Sequence, residues 1–345
     1  MTSAIPILNI YYLLLYAWDR LPEGGILDIS GVDSTELADL FAAVLLGGVR
    51  HLMRRGLDQS YVAVTDEIPG IRGRVDFAGT ARRLLAQHGR ALCEFDEFTV
   101  DTLPNRILLA SIRRVSQAEG LASNLRHDLG GLARSLNGIS RVRLDRRAFR
   151  QIQLHGNNSF YAFLLSVCKL ILESSILVEA SGEIRFRDFL RDPDRMAMLF
   201  ERFLFNFIRR EIPNADVRRE RIYWSARSES DPSLSLLPSM QTDISVRLQG
   251  RTIIIDAKYY EKTLQEHFGA QTFRSAHLYQ VFSYLKNIEV RGGQDAAAEG
   301  LLLYPKTDAA VRQSYEIGGH KISVASVDLA QPWRYVRSEL LEIVQ

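Results

Sequence analysis

Apolar residues along this chain recur with two different periods, and the change from one to the other sketches the fold. The opening IPILNIYYLLLYAW is apolar almost throughout, broken by Asn9 and the tyrosines, and reads as a buried first helix. Helical spacing returns over 35–55, with Thr35 as a possible cap, and again at about 104–119 and 122–136. Between these helices SYVAVTDEIPGIRGRVDF has strand-like alternation on both sides of a Pro-Gly element, and ALCEFDEFTV reads as a further strand. Pro69-Gly70 and Gly73 predict a tight projecting hairpin, with Arg72 and Arg74 sharing one strand face. The charged stretch ISRVRLDRRAFRQIQLHGNNS has the composition of a connection and sets a domain boundary near residue 150.

Beyond the boundary, strong helical runs cover 159–177 and 192–212. Strand-like segments follow at 219–224, 240–248, 252–258, 299–304 and 313–326, with helices near 271–288 and 334–344 and a loop at SARSESDPSLSLLPS. This pattern predicts an α/β (α+β) chain in two parts. The first, 1–150, mixes helices and strands and carries the hairpin; the second, 151–345, holds a mixed central sheet flanked by helices. A length of 345 residues suits two such cores.

Composition narrows the classes. Hydrophobic residues at 46% and charged ones at 24% exclude disorder and fibrous repeats, and a net charge of +2 leaves no basic tail to hold nucleic acid by charge alone. The arginine clusters Arg141–Arg150 and Arg218–Arg221 are the candidate phosphate contacts. Two distant cysteines, Cys93 and Cys168, fit a reducing cytoplasm. The run SFYAFLLSVCKLILESSILV contains Lys169 and Glu173, so it is expected in a core and no membrane is expected as partner. No Gly-Lys dipeptide is present, hence no Walker A loop, and no nucleotide is expected on this chain. The seven histidines lack zinc-ligand spacing.

The densest chemistry lies in MQTDISVRLQGRTIIIDAKYY. With Gln249-Gly250 as a two-residue turn, Leu248 faces Arg251, Val246 faces Ile253 and Asp243 faces Asp256. Facing residues bring their Cβ atoms to about 4.5–5.5 Å, and Lys258 shares the surface of Asp256. Two carboxylates at the end of an apolar strand repel each other unless a cation offsets them. Lys258 supplies part of that offset, and Mg²⁺ or Mn²⁺, which prefers oxygen ligands, would supply the rest. Such a centre can polarise a phosphodiester and activate water. Only six of the 43 basic residues are lysines, so a lysine at 258 favours a compact ammonium there over a guanidinium fork.

Asp243 with Asp256-Ala-Lys258 resembles the PD-(D/E)xK nuclease signature, and Gln280 and Tyr284 in LYQVFSYL are similar to the Gln-x-x-x-Tyr motif of its RecB-like branch. The leading proline of the signature is replaced in MQTD. IPILNIYYLLLYAW, RRGLDQSYVAVTDEIPGIRGRVDF, DTLPNRIL, SLLPSMQTDISVRLQGRTIIIDAKYY and GLLLYPKTD, in this order, resemble the McrC subunits of McrBC modified-cytosine restriction systems along essentially the whole chain. The resemblance implies a restriction-endonuclease-like second domain that cuts double-stranded DNA carrying modified cytosine, with Asp243, Asp256, Lys258 and Gln280 catalytic. It implies auxiliary roles for Tyr284 and for Glu201 in LFERFLFNF, an acid on a preceding helix. It also implies a first domain that contacts a hexameric McrB-like GTPase ring, through Arg72 and Arg74, and stimulates its hydrolysis. The alternative is a non-catalytic adaptor linking an NTPase ring to DNA.

Overall fold

The computed structural model describes residues 5–27, 29, 36–154, 158–177, 184–186, 192–259, 265–267, 270–307 and 309–345. Contacts divide the chain into two compact units: Met1–Thr35 together with Asp188–Gln345, and Glu36–Arg187. The chain therefore starts in one unit, builds the other, and returns.

It begins with α1 (Ile7–Ala17) and the single turn α2 (Leu21–Gly24). The second unit follows with α3 (Leu37–Arg55), β1 (Ser60–Pro69), β2 (Arg74–Val75), α4 (Phe77–Arg82), β3 (Arg90–Thr99), α5 (Leu103–Ser116), α6 (Ser123–Ser135), α7 (Arg146–Arg150), α8 (Ser159–Ser174), β4 (Ser175–Leu177) and β5 (Ile184–Phe186). Its core is helical. α3, α5, α6 and α8 pack on one another, burying Phe41, Leu45, Ile107, Ile112, Leu129 and Phe163. Because α8 completes this core, residues 151–187 belong with the first half of the sequence, and the boundary expected near 150 is corrected to the 187–188 junction.

The strands of this unit form a ribbon. β1 and β3 are antiparallel from Ser60–Thr99 to Pro69–Arg90, and a ten-residue strand spans roughly 30 Å. Most side chains along β1 are exposed or half-buried, and Tyr61 and Phe98, at 71% and 56% exposure, stack on each other with ring centroids 4.9 Å apart. The expected hairpin around Pro69-Gly70 is replaced by a different pairing, because β3 lies between β1 and β2 and hydrogen-bonds both. Arg72 falls in the connecting bend, its guanidinium 4.3 Å from the Phe95 ring, while Arg74 sits in β2 opposite Glu94. The two arginines are thus exposed level with the middle of the β1–β3 pair, where Glu94 and Phe95 face Thr65 and Val64, and do not share a strand face.

The return to the first unit brings α9 (Pro193–Glu211), β6 (Asp216–Arg218), β7 (Arg221–Ile222), β8 (Met240–Gln241), β9 (Ile244–Leu248), β10 (Arg251–Ala257), β11 (Gln265–His267), β12 (Ala270–Thr272), α10 (Ser275–Ile288), β13 (Glu299–Pro305), β14 (Arg312–Ile317), β15 (His320–Val327) and α11 (Trp333–Val344). Among the described residues a mixed six-stranded sheet runs β14-β15-β13-β10-β9-β6. β10–β13 and β13–β15 are parallel; the other pairs are antiparallel. Helical spacing placed the start of α10 at 271, but a short strand takes up residues 270–272. Likewise the run 313–326 splits into the β14–β15 hairpin at Gly318-Gly319, both with positive φ.

α1 joins this unit through its aromatic face. Tyr16 packs on Phe203 and Phe207, Asn206 Nδ2 donates to the Tyr16 carbonyl at 2.8 Å, and Tyr12 stacks on Trp333 at 4.6 Å. Asn9 Nδ2 donates to the carbonyls of Leu329 and Gln331 at 2.8 and 2.7 Å. Residues 1–35 therefore leave the expected N-terminal domain and join the sheet-bearing unit. α10 covers one sheet face through Val281, Tyr284, Leu285 and Ile288 against Ile254, Leu302 and Ile322. Gly300 makes that approach close, because a Cβ there would collide with Val281.

Candidate active site

The β9–β10 hairpin has the register read from the sequence: Leu248 faces Arg251, Val246 faces Ile253 and Ile244 faces Ile255. Gln249 and Gly250 carry φ of 50° and 80°, the pair of positive values that a tight two-residue hairpin turn requires. Ile253, Ile254 and Ile255 are 6%, 0% and 0% exposed, so both faces of β10 are covered. A strand built this way delivers its last residues to a fixed place, and Asp256 is among them.

Asp256 is fully buried. It shares the strand face of Ile254 and so points toward the α10 side. Lys258 Nζ lies 2.8 Å from its Oδ2, while Oδ1 has no hydrogen-bond partner among the described residues. Burial raises the carboxyl to about 6; Lys258 pulls it down, while Asp243 and Glu201 push it up. Asp243 stands one residue before β9, where the ladder has ended, and turns its Oδ2 to accept from the Ala257 N–H at 2.9 Å. The expected facing of Asp243 and Asp256 becomes a cap on the neighbouring backbone amide. Burial raises the Asp243 carboxyl as well, opposed by that amide, by Lys258 and by Arg219.

Glu201 reaches the same place from α9, which packs on β10 and whose Phe200 meets Tyr259 edge-on at 6.1 Å. Its carboxylate is held by Arg219 at 2.6 Å, and its pKa is raised by burial and then by Asp243. Gln280 and Tyr284 form a relay on α10: Gln280 Nε2 donates to Tyr284 Oη at 2.7 Å, and Tyr284 donates to the Gln241 carbonyl at 3.0 Å. Gln241 is two residues before Asp243, so the pair ties α10 to the strand that presents the carboxylate. Gln280, expected to be catalytic, meets Tyr284 here. Arg72 and Arg74 belong to the other unit.

Glu201, Asp243, Ala257, Lys258, Tyr259 and Arg274 line a cleft of about 610 Å³. Arg274 is not among the residues the sequence singles out, whereas Arg219 belongs to the Arg218–Arg221 run expected at phosphate and here pairs with Glu201. Arg219 lay inside an arginine run whose alternation gives no partner, and Arg274 sat within a segment read as helix, where no cleft-facing role was visible.

The donor set suits a hard cation. It consists of oxygens, one of them a buried Asp256 oxygen that lacks a partner, as an ion-binding position would leave it. Among the described residues no group of three or more His, Cys, Asp or Glu forms a metal cluster. Glu201 lines the same cleft, with Arg219 2.6 Å from its carboxylate. The two carboxylates of Asp243 and Asp256 match the share that Mg²⁺ commonly takes from a protein alongside water and phosphate.

The family model for the McrBC 5-methylcytosine restriction system component matches residues 25–305. The type IV methyl-directed restriction enzyme EcoKMcrBC of Escherichia coli (strain K12) is 39% identical over 339 residues, covering 98% of this chain and 97% of that protein. The chain belongs to the McrBC family. A solved assembly of Thermococcus gammatolerans McrB AAA+ hexamers with bound McrC contains a chain of similar fold, at TM-score 0.63 and 21% identity, covering 98% of this chain and 76% of that one. The sheet-bearing unit of this McrBC-family chain has the mixed α/β architecture expected of its nuclease signature. No helix among the described residues is long and apolar enough to cross a membrane.

Proposed function

We propose that this chain is the DNA-cleaving subunit of a GTP-dependent, modified-cytosine-specific restriction complex in the cytoplasm, hydrolysing phosphodiesters with Mg²⁺ or Mn²⁺. The observation that carries the reading is Asp256: a fully buried carboxylate with an unsatisfied oxygen, at the end of a core strand, beside Asp243 and Lys258 on an open cleft. Near-full-length likeness to a methyl-directed restriction enzyme supports it.

The roles follow from the geometry. Asp243 and Asp256 would hold the ion, which when bound polarises the phosphate and lowers the pKa of water. Lys258 balances the buried charge of Asp256 and, lying on the cleft wall, would orient the attacking water and face the charge that develops on phosphate. Tyr284 and Gln280 hold the approach to Asp243 in place. The ribbon of β1, β2 and β3, with Arg72 and Arg74 exposed beside its middle, is assigned to partner contact. An McrB-like GTPase ring is the partner, by analogy with the archaeal assembly, and recognition of the modified base falls to that partner.

The test is cleavage of methylated and unmethylated DNA by the purified chain, with and without the GTPase partner. Asp256→Ala is expected to lower cleavage in the complex by at least about a thousandfold, while stimulation of partner GTP hydrolysis persists. Cleavage retained by this variant favours the adaptor.

A further inference from the structure

The cleft wall includes a cation to which the roles above give no task. Arg274 lines the same space as Glu201, Asp243 and Lys258 and is half-buried. It comes from a third element, since Glu201 lies on α9 and the aspartates belong to the β9–β10 hairpin.

Its backbone has a fixed address. Arg274 is the N-cap of α10, its carbonyl accepting from the His277 N–H at 3.1 Å. α10 is pinned at two inner points. Tyr284 donates to the Gln241 carbonyl at 3.0 Å, just ahead of Asp243, and His277 Nδ1 pairs with Tyr304 Oη at 2.8 Å on β13, the strand beside β10. The root of the Arg274 side chain is thus held in register with both aspartates. Burial, then Lys258 and Arg274, push His277 down to about 4, so this neighbour stays neutral near neutral pH and the positive charge here comes from Lys258 and Arg274.

Phosphodiester hydrolysis makes a demand that the aspartate side meets only in part. A phosphodiester spreads one negative charge over two non-bridging oxygens, and attack by water adds charge as the new phosphorus–oxygen bond forms and the ester bond to the leaving oxygen breaks. Asp243 and Asp256 would hold an ion that neutralises part of that charge from their side of the cleft. A guanidinium arriving from another wall presents parallel N–H donors to a non-bridging oxygen, keeps its proton throughout, and needs no reorganisation as charge develops.

We infer that Arg274 is a catalytic residue of this site, donating to a non-bridging oxygen of the scissile phosphate of a nucleic-acid strand on the side away from Asp243 and Asp256. The inference rests on the nuclease reading and goes beyond the residues that reading names.

The experiment compares Arg274→Ala, Arg274→Lys and Asp256→Ala in the assembled complex, measuring DNA cleavage, partner GTPase stimulation and thermal unfolding side by side. Arg274→Ala is expected to slow cleavage about a hundredfold, the usual loss for one donor to developing oxyanion charge. Arg274→Lys should recover about tenfold of it, with GTPase stimulation and melting unchanged in both. Cleavage by Arg274→Ala within about twofold of the parent, with Asp256→Ala inactive, removes Arg274 and leaves the nuclease reading standing. A loss in the alanine variant that lysine does not relieve, or one accompanied by lowered melting and lost stimulation, makes the residue structural and overturns the assignment. Activity in Asp256→Ala defeats the nuclease reading itself.

Discussion

The β1–β3 ribbon and the β9–β10 hairpin are both antiparallel pairs with continuous registers, yet their side chains live in opposite surroundings. Along β1 every residue is exposed or half-buried, whereas β10 is buried from Thr252 to Ala257. Backbone hydrogen bonds alone hold two strands together only marginally in water, so the ribbon takes its order from the unit at its base and from local contacts such as the Tyr61–Phe98 stack. The hairpin takes its order from burial on both faces. One arrangement leaves side chains available to a partner; the other fixes a pair of aspartates that no free strand would hold together.

Substitutions separate these two arrangements in order of effect. Ile254→Ala removes a fully buried side chain packed against α10 and should destabilise the sheet-bearing unit by about 2–5 kcal/mol, read by denaturant unfolding. A change below about 1 kcal/mol would show that the sheet relaxes around the loss and does not position Asp256 by packing.

Asp256→Asn should act in the other direction. Burial pushes the folded carboxyl up to about 6, above its ordinary value of 3.8, so between the two the native state binds a proton that the unfolded state has released. The relative stability this gives is complete below pH 3.8, falls as pH rises through 6, and is absent above it. In the metal-free parent the buried charge therefore costs about 2–3 kcal/mol at neutral pH, and the asparagine variant should melt higher there while losing cleavage. The gap should close near pH 4 and narrow on adding Mg²⁺. An asparagine variant that melts lower at pH 8 would show that the Lys258 contact outweighs desolvation.

The smallest effect on stability belongs to the ribbon. Tyr61→Ser with Phe98→Ser should change unfolding by less than about 1 kcal/mol, as exposed substitutions do, while weakening stimulation of partner GTP hydrolysis severalfold. Unchanged stimulation would move the partner surface off this stretch of the ribbon.

Much of the nuclease-like half was legible because its signals are local. A two-residue turn fixes a register, an unbroken apolar run marks a strand buried on both faces, and Asp256 and Lys258 share a surface by parity alone. What escaped was set at long range. The ribbon was misread because β3, which separates β1 from β2, follows both in sequence, and a Pro-Gly element looks like a hairpin turn whether or not the strands it joins pair. The domain boundary was misplaced because a charged segment marks a surface connection without saying which core lies on either side. Glu201 was visible as a helix acid, but its pairing with Arg219 depends on how α9 meets the sheet.

α1 contributes Tyr16 and Asn9 to a unit whose sheet is encoded only after residue 188. On the ribosome that opening helix must wait for most of the message to be read before its docking surface exists. A prematurely terminated product would carry the ribbon and its helices but no strand bearing Asp243 or Asp256. The order of synthesis thus leaves both aspartates out of every chain that stops before residue 243.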